Sequence, residues 1–182
     1  MKKKLRVSYS LLSLWARGQT DQAISTYFHM DTPSTPQMEY GKNKHEEIAE
    51  FTRSKGLFPK WLTPITPKKP LPEQKIIVPY NEIFDLSAVL DCVDVPNLFE
   101  WKIGNTDSLS WSREMQVPFY FLVAELAKIP IEKAYLINYN QYSNTSNFVI
   151  IWNNERQRAM ARNFIDTLAI TVYDHFVREG LI

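Results

Sequence analysis

Between Ile83 and Val93 the chain alternates without interruption: Phe84, Leu86, Ala88, Leu90 and Cys92 on one side, Asp85, Ser87, Val89, Asp91 and Val93 on the other. A period of two is the signature of a β-strand with one face buried. The run ends at Asp94-Val95-Pro96-Asn97, a turn by composition, and Leu98–Ile103 resumes as a second strand. A β-hairpin therefore lies at the middle of the chain, and the rest of the fold must cover it.

Helical and extended segments alternate around this hairpin. Ser8 to Phe28 reads as helix, with Leu11, Leu12, Leu14 and Trp15 on one side, Ser8 or Ser10 as N-cap, and Gly18 dividing it in two. Residues 31–37 (DTPSTPQ) read as a loop, and a helix follows from about Tyr40 to Lys55. Lys75–Val78, Ala134–Tyr139 and Phe148–Trp152 are further strands, and Arg113–Lys128 is a helix. A long helix from about Glu155 to Glu179 closes the chain, capped by Asn153 or Asn154 and ended by Gly180. The order α-β-β-β-α-β-β-α predicts an α/β layered fold. At 182 residues, one domain spanning 1–182 is expected.

Residues 56–73 carry Pro59, Pro64, Pro67, Pro70 and Pro72, a density that neither a helix nor a central strand tolerates. An extended loop is expected there. From Arg53 to Lys75 six basic residues stand against one acid, Glu73, with Phe58 and Trp61 among them. Two readings are open. One is a solvated loop pinned by its aromatics; the other is a nucleic-acid contact, with Lys68 and Lys69 on phosphates and Trp61 stacked on a base.

Composition removes several classes. A single cysteine, Cys92, excludes an intrachain disulfide and a cysteine-rich zinc or all-cysteine iron–sulfur site. A net charge of +1 excludes a strongly basic nucleic-acid coat but not a local patch. No apolar run reaches the roughly 18–20 residues of a membrane span, and the start MKKKLRVSYS lacks a signal-peptide core. An intracellular, cytoplasmic protein without a membrane partner is expected.

The hairpin carries the chemistry. Glu100 and Lys102 are two apart and share a strand face. An even-numbered loop at the turn places Asp91 opposite Glu100 or Lys102 on that face, with Cβ atoms about 4.5–5.5 Å apart; a three-residue loop or a bulge breaks the alignment. Two carboxylates that close repel, and a divalent cation such as Mg²⁺ or Mn²⁺ reverses that sign. The adjacent lysine adds a positive charge where a phosphate would gain charge in a displacement. The alternative is a surface hairpin with an ordinary Glu–Lys pair.

An aspartate followed across a hairpin by Glu-x-Lys resembles the PD-(D/E)XK nuclease superfamily. Three further features resemble its RecB-type branch: Gly41-Lys-Asn-Lys-His45 before the hairpin, Gln116-Val-Pro-Phe-Tyr120 after it, and Arg6–Trp15 as an N-terminal helix. Leu90 stands where the superfamily commonly has proline, and Pro118 inside the Gln–Tyr motif implies a kinked or late-starting helix. The four cysteines that hold an iron–sulfur cluster in some relatives are absent.

The resemblance implies a restriction-endonuclease-like core with a mixed β-sheet flanked by helices. It implies a metal-dependent DNA nuclease, an exonuclease acting on ends or single strands, with Mg²⁺ or Mn²⁺ held by His45, Asp91, Glu100 and the backbone carbonyl of Trp101. Asp91, Glu100 and Lys102 would be catalytic, with Lys102 at the attacking water, and Gln116 and Tyr120 would position the strand or hold Lys102. DNA is the implied partner, with a helicase or a repair or recombination protein as a further one, since the chain has no P-loop of its own. The competing readings are a catalytically inactive nuclease-fold module that binds DNA or a protein, and an unrelated α/β binding domain. Asp94 reads as a turn former, and His29 and His175 as ordinary histidines.

Overall fold

The computed structural model describes residues 4–30, 34–104 and 115–182. The elements in chain order are β1 (Leu5–Ser8), α1 (Tyr9–Ala16), α2 (Thr20–Tyr27), α3 (Pro36–Lys55), β2 (Leu71–Pro79), β3 (Phe84–Asp94), β4 (Asn97–Gly104), α4 (Gln116–Leu126), β5 (Lys133–Asn140), β6 (Thr145–Trp152) and α5 (Glu155–Arg178). They form a six-stranded mixed sheet flanked by helices, the α/β class that the pattern of elements predicts.

β3 organises the sheet. One of its edges pairs antiparallel with β2. The other edge is shared: β1 pairs parallel with Phe84–Ser87, and β4 pairs antiparallel with Cys92–Asp94. Between Ser87 and Cys92 that edge has no strand partner among the described residues. β5 follows β4 in parallel, and β6 closes the far side antiparallel to β5.

Each face of the sheet has its own core. Leu5, Val7, Leu86, Leu90 and Leu98 pack with α1, α4 and α5 through Leu11, Leu12, Phe119, Leu122, Ile165 and Phe176. Every residue of α4 from Val117 to Ala124 is buried, so this helix is apolar all round and held rigidly. On the second face, Cys92, Phe99, Trp101, Ile137 and Tyr139 pack with Ile48 of α3 and with Phe58 and Leu62. The proline-rich segment is thus a cover for half of the sheet, with the Phe58 ring 4.7 Å from Phe99 and 5.7 Å from Trp101.

Several expectations need correction. β1 carries almost no sequence signal, because a four-residue strand beside a basic terminus shows only Leu5 and Val7 as its buried pattern. The N-terminal helical segment accordingly begins at Tyr9, capped by Ser8, whose Oγ accepts from Leu11 N–H at 3.3 Å. α3 starts at Pro36, inside the expected loop, since proline suits the first turn and Thr35 supplies the cap. β2 claims residues 71–73 of the expected 56–73 loop; Pro72 and Pro79 are tolerated because β2 pairs only with β3. Cys92 and Leu90 do not share a core: Leu90 packs in the first and Cys92 in the second, so the alternation changes phase beside Asp91. Opposite that point lies Glu73, with φ +52°. The cap of α5 is Asn154, whose Oδ1 accepts from Gln157 N–H at 3.0 Å. No described helix is long and apolar enough to cross a membrane.

Candidate active site

The site grows from the place where β3 and β4 part. Asp94↔Asn97, Val93↔Leu98 and Cys92↔Phe99 are paired, a register that sets Asp91 opposite Glu100, and then the ladder ends. Asp91 fills the gap with its side chain: Oδ2 accepts from the Trp101 backbone N–H at 3.0 Å. Its other oxygen, Oδ1, lies 3.5 Å from His45 Nδ1. Trp101 itself is buried in the second core, its ring centroid 6.5 Å from that of His45.

Glu100 and Lys102 share a face, as strand alternation requires, and α4 packs over it. Lys102 Nζ donates to Glu100 Oε1 at 2.7 Å and to Gln116 Oε1 at 2.5 Å. Gln116 Nε2 donates to Glu100 Oε1 at 2.8 Å and to the Tyr120 hydroxyl at 2.7 Å. Gln116 and Tyr120 are one helical turn apart, so both reach the same spot. Pro118 does not kink α4: the helix starts at Gln116, and Pro118 falls in the first turn, where N–H groups have no intrahelical acceptor.

Glu100 is 2% exposed, and its Oε2 is buried without a hydrogen-bond partner. Burial, together with the Asp91 charge, pushes its carboxyl up to about 8 against the pull of Lys102. Burial also drives the Tyr120 hydroxyl well above its ordinary range, and the Glu100 and Asp91 charges add to this. At His45 burial opposes protonation, but the hydrogen bond and charge of Asp91, with the Glu100 charge, raise its pKa overall. Cys92 is pushed up to about 12 by burial, so its thiol is inert.

His45 projects from the middle of α3, and Gly41 precedes it by one turn on the same helix face. A glycine inside a helix costs roughly 0.5–1 kcal/mol relative to alanine. Apart from its chain neighbours and the backbone of its own helix, no described protein atom lies within 4 Å of where a Cβ would stand at Gly41, so packing does not require the glycine.

The proline-rich segment lies near the same elements through different contacts. Trp61 is half-buried against Tyr139, ring centroids 4.7 Å apart, with Lys44 Nζ 5.0 Å over its indole. Lys68 and Lys69 are exposed side chains. Their backbone N–H groups both donate to Asp94, at 2.9 and 2.6 Å. Asp94, 3% exposed, is therefore an anchor for the cover as well as the last residue before the turn. Sequence reading missed that role, because the partners are 25 and 26 residues away. The one available signal was a carboxylate closing an apolar strand.

Among the described residues, no three His, Cys, Asp or Glu side chains are already gathered around a common point for a metal ion. The donor chemistry nevertheless fits a hard divalent cation. An imidazole nitrogen lies beside one carboxylate, and a second, buried carboxylate has one oxygen with no partner.

No family model matches the chain, and no curated protein matches it. Solved structures do. The crystal structure of SSO0001 superposes with a TM-score of 0.56 at 12% identity, covering 93% of this chain and 78% of that one. An alkaline exonuclease from Laribacter hongkongensis superposes with a TM-score of 0.55 at 10% identity, covering 97% and 93%. The same exonuclease in complex with dAMP gives a TM-score of 0.51 at 11% identity over 96% and 93%. The chain shares the fold of these structures, a mixed sheet flanked by helices.

Proposed function

We propose that the protein is a metal-dependent nuclease that hydrolyses phosphodiester bonds of DNA at ends or in single strands. The observation that carries this reading is the buried Glu100 carboxylate. It is bonded on one oxygen to Lys102 and Gln116 and unpartnered on the other, at a strand split that also holds Asp91 and His45. The likeness of fold to an alkaline exonuclease, one of whose structures contains dAMP, supports it.

His45, Asp91, Glu100 and the Trp101 backbone carbonyl are the groups that would hold Mg²⁺ or Mn²⁺. Such an ion supplies Lewis acidity at the phosphate and lowers the pKa of a bound water. The side chains do the rest. Lys102 orients the attacking water and offsets negative charge that develops on the phosphate oxygens. As the water oxygen gives up a proton to solvent and bonds to phosphorus, the bond to one ester oxygen breaks, and that oxygen leaves with a proton taken from solvent. Gln116 keeps Lys102 and Glu100 in register, and Tyr120 fixes Gln116 from the next turn of α4. Positioning of this kind can lower a barrier by several kcal/mol.

The decisive experiment is digestion of labelled linear and closed circular DNA with Mg²⁺, with Mn²⁺ and with EDTA. Metal-dependent loss of the linear substrate is expected. Intact DNA under all three conditions overturns the reading in favour of an inactive nuclease-fold module.

A further inference from the structure

A cleft of about 1130 Å³ opens beside the unpaired edge of β3. Leu5 and Val7 of β1, and Leu86 and Ala88 of β3, point into the first core, so Arg6, Asp85, Ser87 and Val89 face the opposite way. Arg6 is the register partner of Asp85, and Lys75 of β2 is the partner of Val89. Asp91 lies four residues beyond Ser87 along β3, about 13 Å at strand rise, at the point where the alternation changes phase. Tyr120 belongs both to the cleft wall and to the hydrogen-bonded group around Glu100. The cleft therefore adjoins the candidate active site at Tyr120.

Its charge is unbalanced. Lys4 spends its charge on Asp85, 3.4 Å away. Arg6 and Lys75 have no carboxylate within 4 Å among the described residues, although both line the cleft. Phe28 lines the same cleft, 40% exposed, its ring held from behind by stacking on Phe176 at 5.9 Å and by the edge of Tyr27 at 4.9 Å. Unneutralised cations along a trough with a rigid, open aromatic face are what a single nucleic-acid strand requires: phosphates take the cations, and an unpaired base takes the ring. A duplex offers no free base face to Phe28.

We propose that this cleft binds one nucleic-acid strand, with phosphates at Arg6 and Lys75 and a base on Phe28, and leads it along β3 toward Asp91 and Glu100. The direction of travel rests on the nuclease reading of the adjoining site; strand binding itself does not.

The test is fluorescence anisotropy with a labelled single-stranded oligothymidylate in EDTA across a salt series, run beside a duplex of equal length. Arg6→Glu/Lys75→Glu should weaken single-strand binding at least tenfold. Two lost contacts should also flatten the salt dependence by about 1.4 in d log K/d log[salt], at ~0.7 per phosphate contact. Phe28→Ala should weaken single-strand binding at least fivefold and leave that slope unchanged. Lys128→Glu/Arg156→Glu, an equal charge change at exposed positions outside the cleft, should retain the wild-type slope. Thermal melts confirm folding, and Arg6→Gln/Lys75→Gln gives the same slope change without new carboxylates. Equal losses in the cleft and control pairs, or a wild-type protein that prefers duplex, would overturn the proposal. Wild type that never cuts DNA, together with cleft variants that lose strand binding, sinks the nuclease reading and upholds this one. Cleavage with binding unaltered in the cleft variants does the reverse.

Discussion

The Asp91 carboxylate stands in for a missing strand partner of Trp101, accepting its backbone N–H at 3.0 Å just beyond the last β3–β4 pair, Cys92↔Phe99. One side chain thus closes the sheet and lines the candidate active site. Its two tasks are separable. Asp91→Ala leaves the Trp101 N–H without its acceptor and should cost about 1–3 kcal/mol, read by urea denaturation. Asp91→Asn keeps an acceptor and should stay within about 1 kcal/mol of wild type, yet lose cleavage through loss of the charge. Equal destabilisation by the two variants would disprove this division.

Glu100 makes stability depend on pH. Its carboxyl is raised from 4.5 to about 8 by burial and by the Asp91 charge. Between those values the folded protein holds a proton that the unfolded chain has released, so stability falls as pH rises through the window. Thermal melts in EDTA should show Tm declining from pH 5 to pH 8.5, and Glu100→Gln should flatten the decline. Added Mg²⁺ or Mn²⁺ should restore Tm most at the alkaline end, because binding to the ionised native state adds stability. A wild-type Tm independent of pH over this range contradicts the assignment.

Lys102→Ala should abolish cleavage while strand binding in EDTA stays within about twofold, because its placement is at the reacting phosphate and water. The same variant removes the cation that opposes protonation of Glu100, so the alkaline decline in Tm should steepen. Lys102→Arg keeps the charge with a different donor geometry and should restore the pH profile without restoring full activity. Wild-type cleavage by Lys102→Ala would remove this residue from the mechanism.

Gly41 offers a trade-off. Alanine there should raise stability by roughly 0.5–1 kcal/mol through helix propensity, since no described protein atom obstructs a Cβ. Helical side chains lean toward the N-terminus, so His45 lies over the turn that carries Gly41, and a methyl there should narrow the approach to the imidazole and lower metal or DNA affinity. Increased stability with unchanged affinity and cleavage would assign the glycine no part in the site.

The hairpin, Glu100 with Lys102, and the i,i+4 pair Gln116–Tyr120 were legible because period-two and period-3.6 spacing fix shared faces. β1 was hidden, since four residues hold too little pattern and its partner, β3, is nearly eighty residues away. The phase change beside Asp91 was equally hidden: alternation in sequence gives no sign that Cys92 changes core while Leu90 does not. The proline-rich segment reads from its sequence as an extended loop and gives no sign of being a cover; its last residues, 71–73, belong to β2. Proline density reports on the backbone; what holds the segment is Phe58 on Phe99 and the Asp94 carboxylate, both long-range.

That anchor leads to the final expectation. Asp94 accepts the backbone N–H groups of Lys68 and Lys69 from a buried position, and hydrogen bonds to a charged acceptor contribute about 1.5–3 kcal/mol each. Asp94→Ala removes both and leaves the N–H groups to water at the partly exposed edge of the segment, so a net loss of ~2–4 kcal/mol is expected. Asp94→Asn keeps one acceptor oxygen and should cost about half as much. Release of the cover should show as faster proteolysis within residues 56–70 before global unfolding. The Lys68 and Lys69 side chains stay exposed in either case. Charge reversal at both, with Asp94 intact, therefore tests their own part in DNA binding: a flatter salt slope is expected, at ~0.7 per contact for a single strand. Unaltered affinity and slope in the reversal variant, beside a destabilised Asp94→Ala, would leave the segment as structural cover alone.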